Sequence, residues 1–112
     1  MFNYNRVIIM GRLTRDPELR KVGSTTVAAI RLATSEVSRN PAGERTEKTC
    51  FIDVEAWNEH AENAGKYLKK GRPVLVEGKL KFDEWEDKNG ERRNKIKVRA
   101  QSILYLDGGK NG

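Results

Sequence analysis

The chain has 112 residues, with 22 Lys or Arg against 16 Asp or Glu, a formal charge of +6. That is one domain's worth of chain, and its basic balance suits a phosphate-rich or otherwise acidic partner. The single cysteine, Cys50, excludes an internal disulfide framework and a multi-cysteine metal site; with no signal peptide and no long apolar run, a soluble cytoplasmic protein without membrane contact is expected.

Residues 6–13, Arg6 to Leu13, are short and rich in β-branched side chains, which predicts a first strand. Val7, Ile9 and Leu13 point one way, but Ile8 and Met10 on the opposite face are apolar too. A strand apolar on both faces wants cover on both sides, from its own core and from a neighbouring subunit. Only 37% of the residues are hydrophobic, and lean cores are often completed by oligomerisation. Thr14 to Ser24 reads as a loop, with turn signals at Asp16-Pro17 and Gly23 and cations at Arg15, Arg20 and Lys21.

Thr25 to Ser35 is a second strand with small residues for close packing, and Glu36 to Lys48, which contains Asn40-Pro41-Ala42-Gly43, reads as a long mobile hairpin loop. In the third strand, Thr49 to Trp57, Ile52, Val54 and Ala56 share one face while Phe51, Asp53, Glu55 and Trp57 share the other. Large rings alternating with carboxylates describe a wet face with exposed aromatics; the plainer alternative is that a loop or a partner covers Phe51 and Trp57. Asn58 to Lys70 is the one helix, with Asn58 as N-cap, Glu59 in the positive first turn, Ala61, Ala64 and Leu68 as an apolar stripe, and Gly71 at its end. His60, the only histidine, reads as a solvated surface residue.

From Val74 to Arg99 two alternating runs flank Asn89-Gly90, a strong hairpin signal. Lys79 and Lys81 share a face of the outgoing run, as do Arg93, Lys95, Lys97 and Arg99 on the return. Val74, Val76, Leu80 and Phe82, with Ile96 and Val98, face the other way. The prediction is a long arm with an apolar root, cationic flanks and Trp85 near its tip. It is either a solvated edge hairpin kept soluble by charge or a finger that holds a polyanion and offers an aromatic plane to something flat.

Three strands, a helix and two long strands fit a five-stranded antiparallel Greek-key barrel, the oligonucleotide/oligosaccharide-binding (OB) fold, over residues 1–107, with 108–112 as a flexible end. Such barrels bind on the face of their second and third strands and with the loops joining strands one to two and four to five. An enzyme would have to rest on carboxylates and a divalent metal, as in a nuclease using Asp53 and Glu55, which lie two apart on one strand face. Such pairs are far more often solvated strand positions, so no catalysis, cofactor or metal is expected.

Four separated motifs resemble those of bacterial single-stranded DNA-binding proteins: Asn5-Arg6-Val7-Ile8-Ile9-Met10-Gly11-Arg12-Leu13-Thr14-Arg15-Asp16-Pro17-Glu18; Ile30-Arg31-Leu32-Ala33-Thr34-Ser35-Glu36; Ala64-Gly65-Lys66-Tyr67-Leu68-Lys69-Lys70-Gly71; and Val76-Glu77-Gly78-Lys79-Leu80 followed by Trp85. They occur in the family's order and cover nearly the whole chain. The resemblance implies an OB fold, a homotetramer and sequence-tolerant binding of single-stranded DNA in replication, recombination and repair. It matches Phe51, Trp57 and Trp85 to base-stacking aromatics and Arg6, Arg20, Lys70 and Lys81 to basic contacts.

To these contacts the pattern of charges adds Arg12, Lys79, Arg93, Lys95, Lys97 and Arg99 as phosphate ligands. Ser38 stands where many members carry a further aromatic, Asp53 and Glu59 where the family often has basic residues, and the family's acidic-tipped tail, which recruits replication and repair proteins, is absent from this sequence. A replication-restart (primosomal) accessory protein acting through protein contacts is the alternative on the same fold, and stacking alone leaves RNA open as a ligand.

Overall fold

Alternating apolar side chains build most of the strands, and polar turn chemistry sets where they reverse. The structure, a computed structural model, describes residues 2–106. The order is β1 (Val7–Leu13), β2 (Glu18–Val22), β3 (Thr25–Arg39), β4 (Arg45–Trp57), α1 (Glu59–Tyr67), β5 (Pro73–Glu86) and β6 (Arg92–Tyr105). The sheet runs β1-β5-β6-β4-β3-β2, and β1 also pairs with β3 through Arg12 and Leu13, so β1, β3, β4, β6 and β5 close a barrel. The expected five-strand OB barrel with its helix between the third and fourth barrel strands is present. One pairing departs from the antiparallel expectation: β4 and β6 run parallel, with Val54 opposite Val98 and Glu55 opposite Arg99.

Inside lie Leu13, Ile30, Leu32, Val54, Val74, Val76 and Val98, with Ala61, Ala64 and Leu68 closing one end. Burying an aliphatic side chain contributes about 1.5–3 kcal/mol. The arm's apolar root is therefore covered at Val74, Val76 and Val98, whereas Leu80, Phe82 and Ile96 beyond the barrel stay exposed.

Two segments read as loops are strands. Glu18–Val22 pairs with β3 from Val22 opposite Thr25 to Glu18 opposite Ala29. All five of its residues are exposed, so no apolar alternation betrays it. It is held by backbone pairing and by Leu19 against α1, so closely that a Cβ on Gly65 would come 2.5 Å from Leu19 Cδ1. Likewise β3 and β4 continue through the supposed mobile loop to Arg39 opposite Arg45. Cross-strand hydroxyl bonds support that extension, Ser35 with Thr49 at 3.1 Å and Ser38 with Thr46 at 3.0 Å.

Both long hairpins turn by the same chemistry. At the first, Gly43 N donates to Asn40 O, Asn40 N donates to Glu44 O, and the Asn40 side chain accepts from Glu44 N. At the arm tip, Gly90 N donates to Asp87 O, Asp87 N donates to Glu91 O, and the Asp87 carboxylate accepts from Asn89 N and Glu91 N. Gly43 and Gly90 take positive φ, 84° and 78°. Asn89 does not, so the tip is a five-residue turn built on Asp87 and not a two-residue Asn-Gly turn.

The helix is shorter than its sequence pattern predicts. Asn58 has φ 57° and makes no side-chain capping bond, and the chain turns extended at Leu68. Leu68 is extended and almost wholly buried in the core. Lys69 and Lys70 therefore follow the helix instead of ending it. The segment 108–112 lies outside the described residues. Among the described residues no helix is long and apolar enough to cross a membrane.

Candidate nucleic-acid interface

The parallel pairing of β4 with β6 joins the wet face of β4 to the cationic face of the arm. Strand register then lays the outward side chains in rows across β2, β3, β4, β6 and β5. One row runs Arg20, Val27, Trp57, with Val27 fully covered. The next runs Ala29, Glu55, Arg99, Lys79. Farther along β4, Asp53 stands opposite Arg31, and Phe51 opposite Ala33, which in turn faces Arg12. On the arm, Lys81 faces Lys97, Asp83 faces Lys95 and Trp85 faces Arg93.

The rings on this face are not locked in the core. Phe51 is 52% and Trp85 47% exposed, and Trp57 is half-buried. The Arg99 guanidinium lies over the Trp57 ring, 4.3 Å from its centroid, and Arg31 lies 5.2 Å over Phe51. Both spacings are within the range in which a ring's negative face attracts a cation. Beside Trp57 an open cleft of about 540 Å³ is lined by Asn58, His60, Lys79, Lys81, Arg99 and Gln101 among others. Arg31 was absent from the expected contacts. Its alternation with the core residues Ile30 and Leu32 on β3 is the signal that places it outward, but only the β3–β4 register puts it near Phe51.

The face is less wet and less purely cationic than its sequence suggests. Glu55 is 92% buried by its neighbours, leaving 8% exposed. Its carboxylate accepts from Trp57 Nε1 at 2.7 Å and Lys97 Nζ at 2.6 Å, with Arg20 at 3.6 Å. Asp53 takes Lys95 at 2.6 Å and Arg31 at 3.2 Å. Lys97 also reaches Asp83 at 2.6 Å.

Partial burial pushes the Asp53 carboxyl upward, but the hydrogen bond and charge of Lys95, with Arg31, outweigh it and hold the group below its ordinary value. Burial likewise opposes the ionised form of Glu55, and the bonds from Lys97 and Trp57 override it. Burial lowers the Lys97 ammonium, while Asp83 and Glu55 raise it further, for a net rise. Asp53, Glu55 and Lys97 are thus each held in their ionised forms.

Four expected contacts stand apart from the rings or are turned to other tasks. Arg6 pairs with Glu77, next to the exposed Ile8. Lys70 is in the turn after the helix, where its backbone N–H donates to Asp16 at 2.8 Å. Arg12 stands on the row that ends at Phe51, but its guanidinium donates to the Gly71 carbonyl at 2.8 Å. Arg93 braces the arm tip through Asp87 at 2.8 Å.

Such a surface can do two things chemically: offer flat faces to flat groups, and neutralise a chain of anions. No group of three or more His, Cys, Asp or Glu able to hold a metal occurs among the described residues.

Comparison with known proteins agrees with this geometry. The Single-strand binding protein family matches residues 4–106. A single-stranded DNA-binding protein of Wolinella succinogenes is 42% identical over 105 residues, covering 93% of this chain and 65% of that protein. Single-stranded DNA-binding protein A of Bacillus subtilis is 39% identical over 109 residues, covering 96% of this chain and 62% of its own length. The chain thus spans less than two thirds of these relatives. Among solved structures, a Plasmodium falciparum SSB in complex with ssDNA superimposes with a TM-score of 0.85 at 25% identity, over 96% of this chain and 98% of that one. The single-stranded DNA binding protein of Thermus aquaticus gives 0.83 at 30% identity, over 95% of this chain and 52% of that one.

Proposed function

This chain belongs to the single-strand binding protein family, and on that premise we propose that it binds and protects single-stranded DNA during replication, recombination and repair. Bases stack on Trp57, Trp85 and Phe51, and phosphates run along Lys79, Lys81, Arg99 and the neighbouring cations. The observation that carries this is the cleft in which Trp57, Arg99, Lys79 and Lys81 meet. Stacking contributes about 1–3 kcal/mol per base and tolerates any sequence, and phosphate contact adds a salt-dependent share. A nuclease reading loses its support because Asp53 and Glu55 are each held by two cations.

The protein works as a homo-oligomer, a tetramer in this reading. Support comes from Ile8, Met10 and Leu104, all more than half exposed; Met10, Leu75 and Leu104 form one row across β1, β5 and β6. The decisive experiment is a tryptophan-fluorescence titration with oligo(dT), competed by oligo(U) and by duplex. Quenching that duplex fails to compete supports the proposal; no quenching, or equal binding of duplex, overturns it. Stronger competition by oligo(U) than by unlabelled oligo(dT) would reassign the ligand to RNA.

A further inference from the structure

The strand-binding face carries its own anions. Asp53 and Glu55 project between Phe51 and Trp57 on β4, so they sit between the two rings on which bases would stack. Each draws one cation from β2 or β3 and one from β6. Asp53 has Arg31 and Lys95; Glu55 has Arg20 and Lys97. Lys97 is shared with Asp83, and its side chain is only 18% exposed. By contrast, Lys79, Lys81 and Arg99 have no carboxylate within 4.0 Å among the described residues, and all three line the cleft beside Trp57. The cations of the face therefore fall into two classes, those already neutralised by protein carboxylates and those left for a ligand.

We propose that Asp53 and Glu55 are resident counter-anions that compete with the strand's phosphates for Arg20, Arg31, Lys95 and Lys97, and so set how many phosphates the protein neutralises and how steeply its affinity depends on salt. The inference rests on the strand-binding reading above. A phosphate approaching Lys95 or Lys97 must displace a carboxylate that stays within the same face, which costs Coulomb repulsion where a free cation would release a salt ion. Glu55 carries a second duty as a positioning residue, because the same carboxylate fixes the Trp57 indole through Nε1. Strand binding is then tuned by removing charge from the protein as much as by adding it.

The test measures oligo(dT) affinity across a salt series for the wild type, Asp53→Asn and Glu55→Gln. Both substitutions keep the size of the side chain, and Gln keeps an acceptor for the Trp57 indole. Asp53→Asn frees two cations, so its log–log salt slope should steepen by up to about 1.4, at about 0.7 per phosphate gained, with several-fold tighter binding at low salt. Glu55→Gln should steepen the slope in the same sense while retaining the fluorescence quench.

A second pair of surface variants serves if either carboxylate variant fails to fold. Lys81→Met should lose more slope than Lys95→Met in the wild-type background; adding Asp53→Asn should make the two losses alike. An unchanged slope in a folded Asp53→Asn or Glu55→Gln, or equal losses for Lys81→Met and Lys95→Met in the wild type, overturns the inference. Failure of the wild type to bind oligo(dT) at all would overturn the strand-binding reading instead, so the two failures are told apart within one experiment.

Discussion

Arg99 lies over Trp57, with its guanidinium carbon 4.3 Å from the ring centroid. The contact joins β6 to β4, two strands that run parallel and are separated in sequence by the helix and β5. Both side chains line the same open cleft, so in the proposed mechanism the contact sets a cation beside a stacking ring.

Loss of either tryptophan of the face should weaken binding more than loss of any one lysine. Trp57→Ala and Trp85→Ala each remove a stacking plane worth about 1–3 kcal/mol per base, roughly fivefold to a hundredfold in Kd. Fluorescence or gel-shift titration at fixed salt checks this; wild-type affinity in both variants would remove stacking from the mechanism.

Subunit association should depend on the outward apolar row. Ile8 is 59% and Met10 54% exposed on a strand whose other face is already in the core. Light scattering at micromolar concentration should give the mass of four wild-type chains and a smaller particle for Ile8→Glu combined with Met10→Glu. A wild-type monomer would show that these side chains are merely solvated.

Stability should fall on the acid side as the ion pairs of the face are protonated. The Asp53, Glu55 and Asp83 carboxyls all sit below their ordinary values of 3.8, 4.5 and 3.8. A depressed carboxyl stabilises the fold above its unfolded value and loses that contribution as pH drops through the folded one. Lys97, raised above 10.5, contributes fully below that value and loses its share only as pH rises past its folded value. Thermal melts should therefore decline below about pH 4.5, and Glu55→Gln should flatten that decline. A wild-type melt insensitive to acid would show that the network does not stabilise the fold.

Gly78 should tolerate no side chain. A Cβ there would stand 2.1 Å from the Arg99 carbonyl oxygen, at the point where β5 and β6 slip register between Glu77 and Gly78. Gly78→Ala must push the strands apart, and overpacking of this kind costs about 1–3 kcal/mol. Since the obstructing atom belongs to the Arg99 backbone, strand affinity should drop along with the melting temperature. An alanine variant as stable as the wild type would mean that the bulge is softer than its spacing indicates.

The barrel strands, the helix and the arm were legible because period-two and helical spacing are local properties of a chain. The outward setting of Phe51 and Trp57 followed from the same alternation. What escaped was polar or non-local. β2 and the outer part of the β3–β4 hairpin carry no apolar pattern, so their pairing rests on backbone bonds and hydroxyl contacts that composition does not announce. The shortened helix escaped because Leu68 answers to the core and not to its neighbours in sequence.

By itself, then, the sequence determined which side chains stand on which face of the barrel strands, because a pleated strand admits only two. It also determined the excess of positive charge. Which of those cations remain open was decided only when β4 came to lie beside β6. That parallel pairing brings Lys95 and Lys97 within 2.6 Å of Asp53 and Glu55, residues more than forty positions away along the chain. Charge is counted along a sequence, but neutralisation falls off with distance in space.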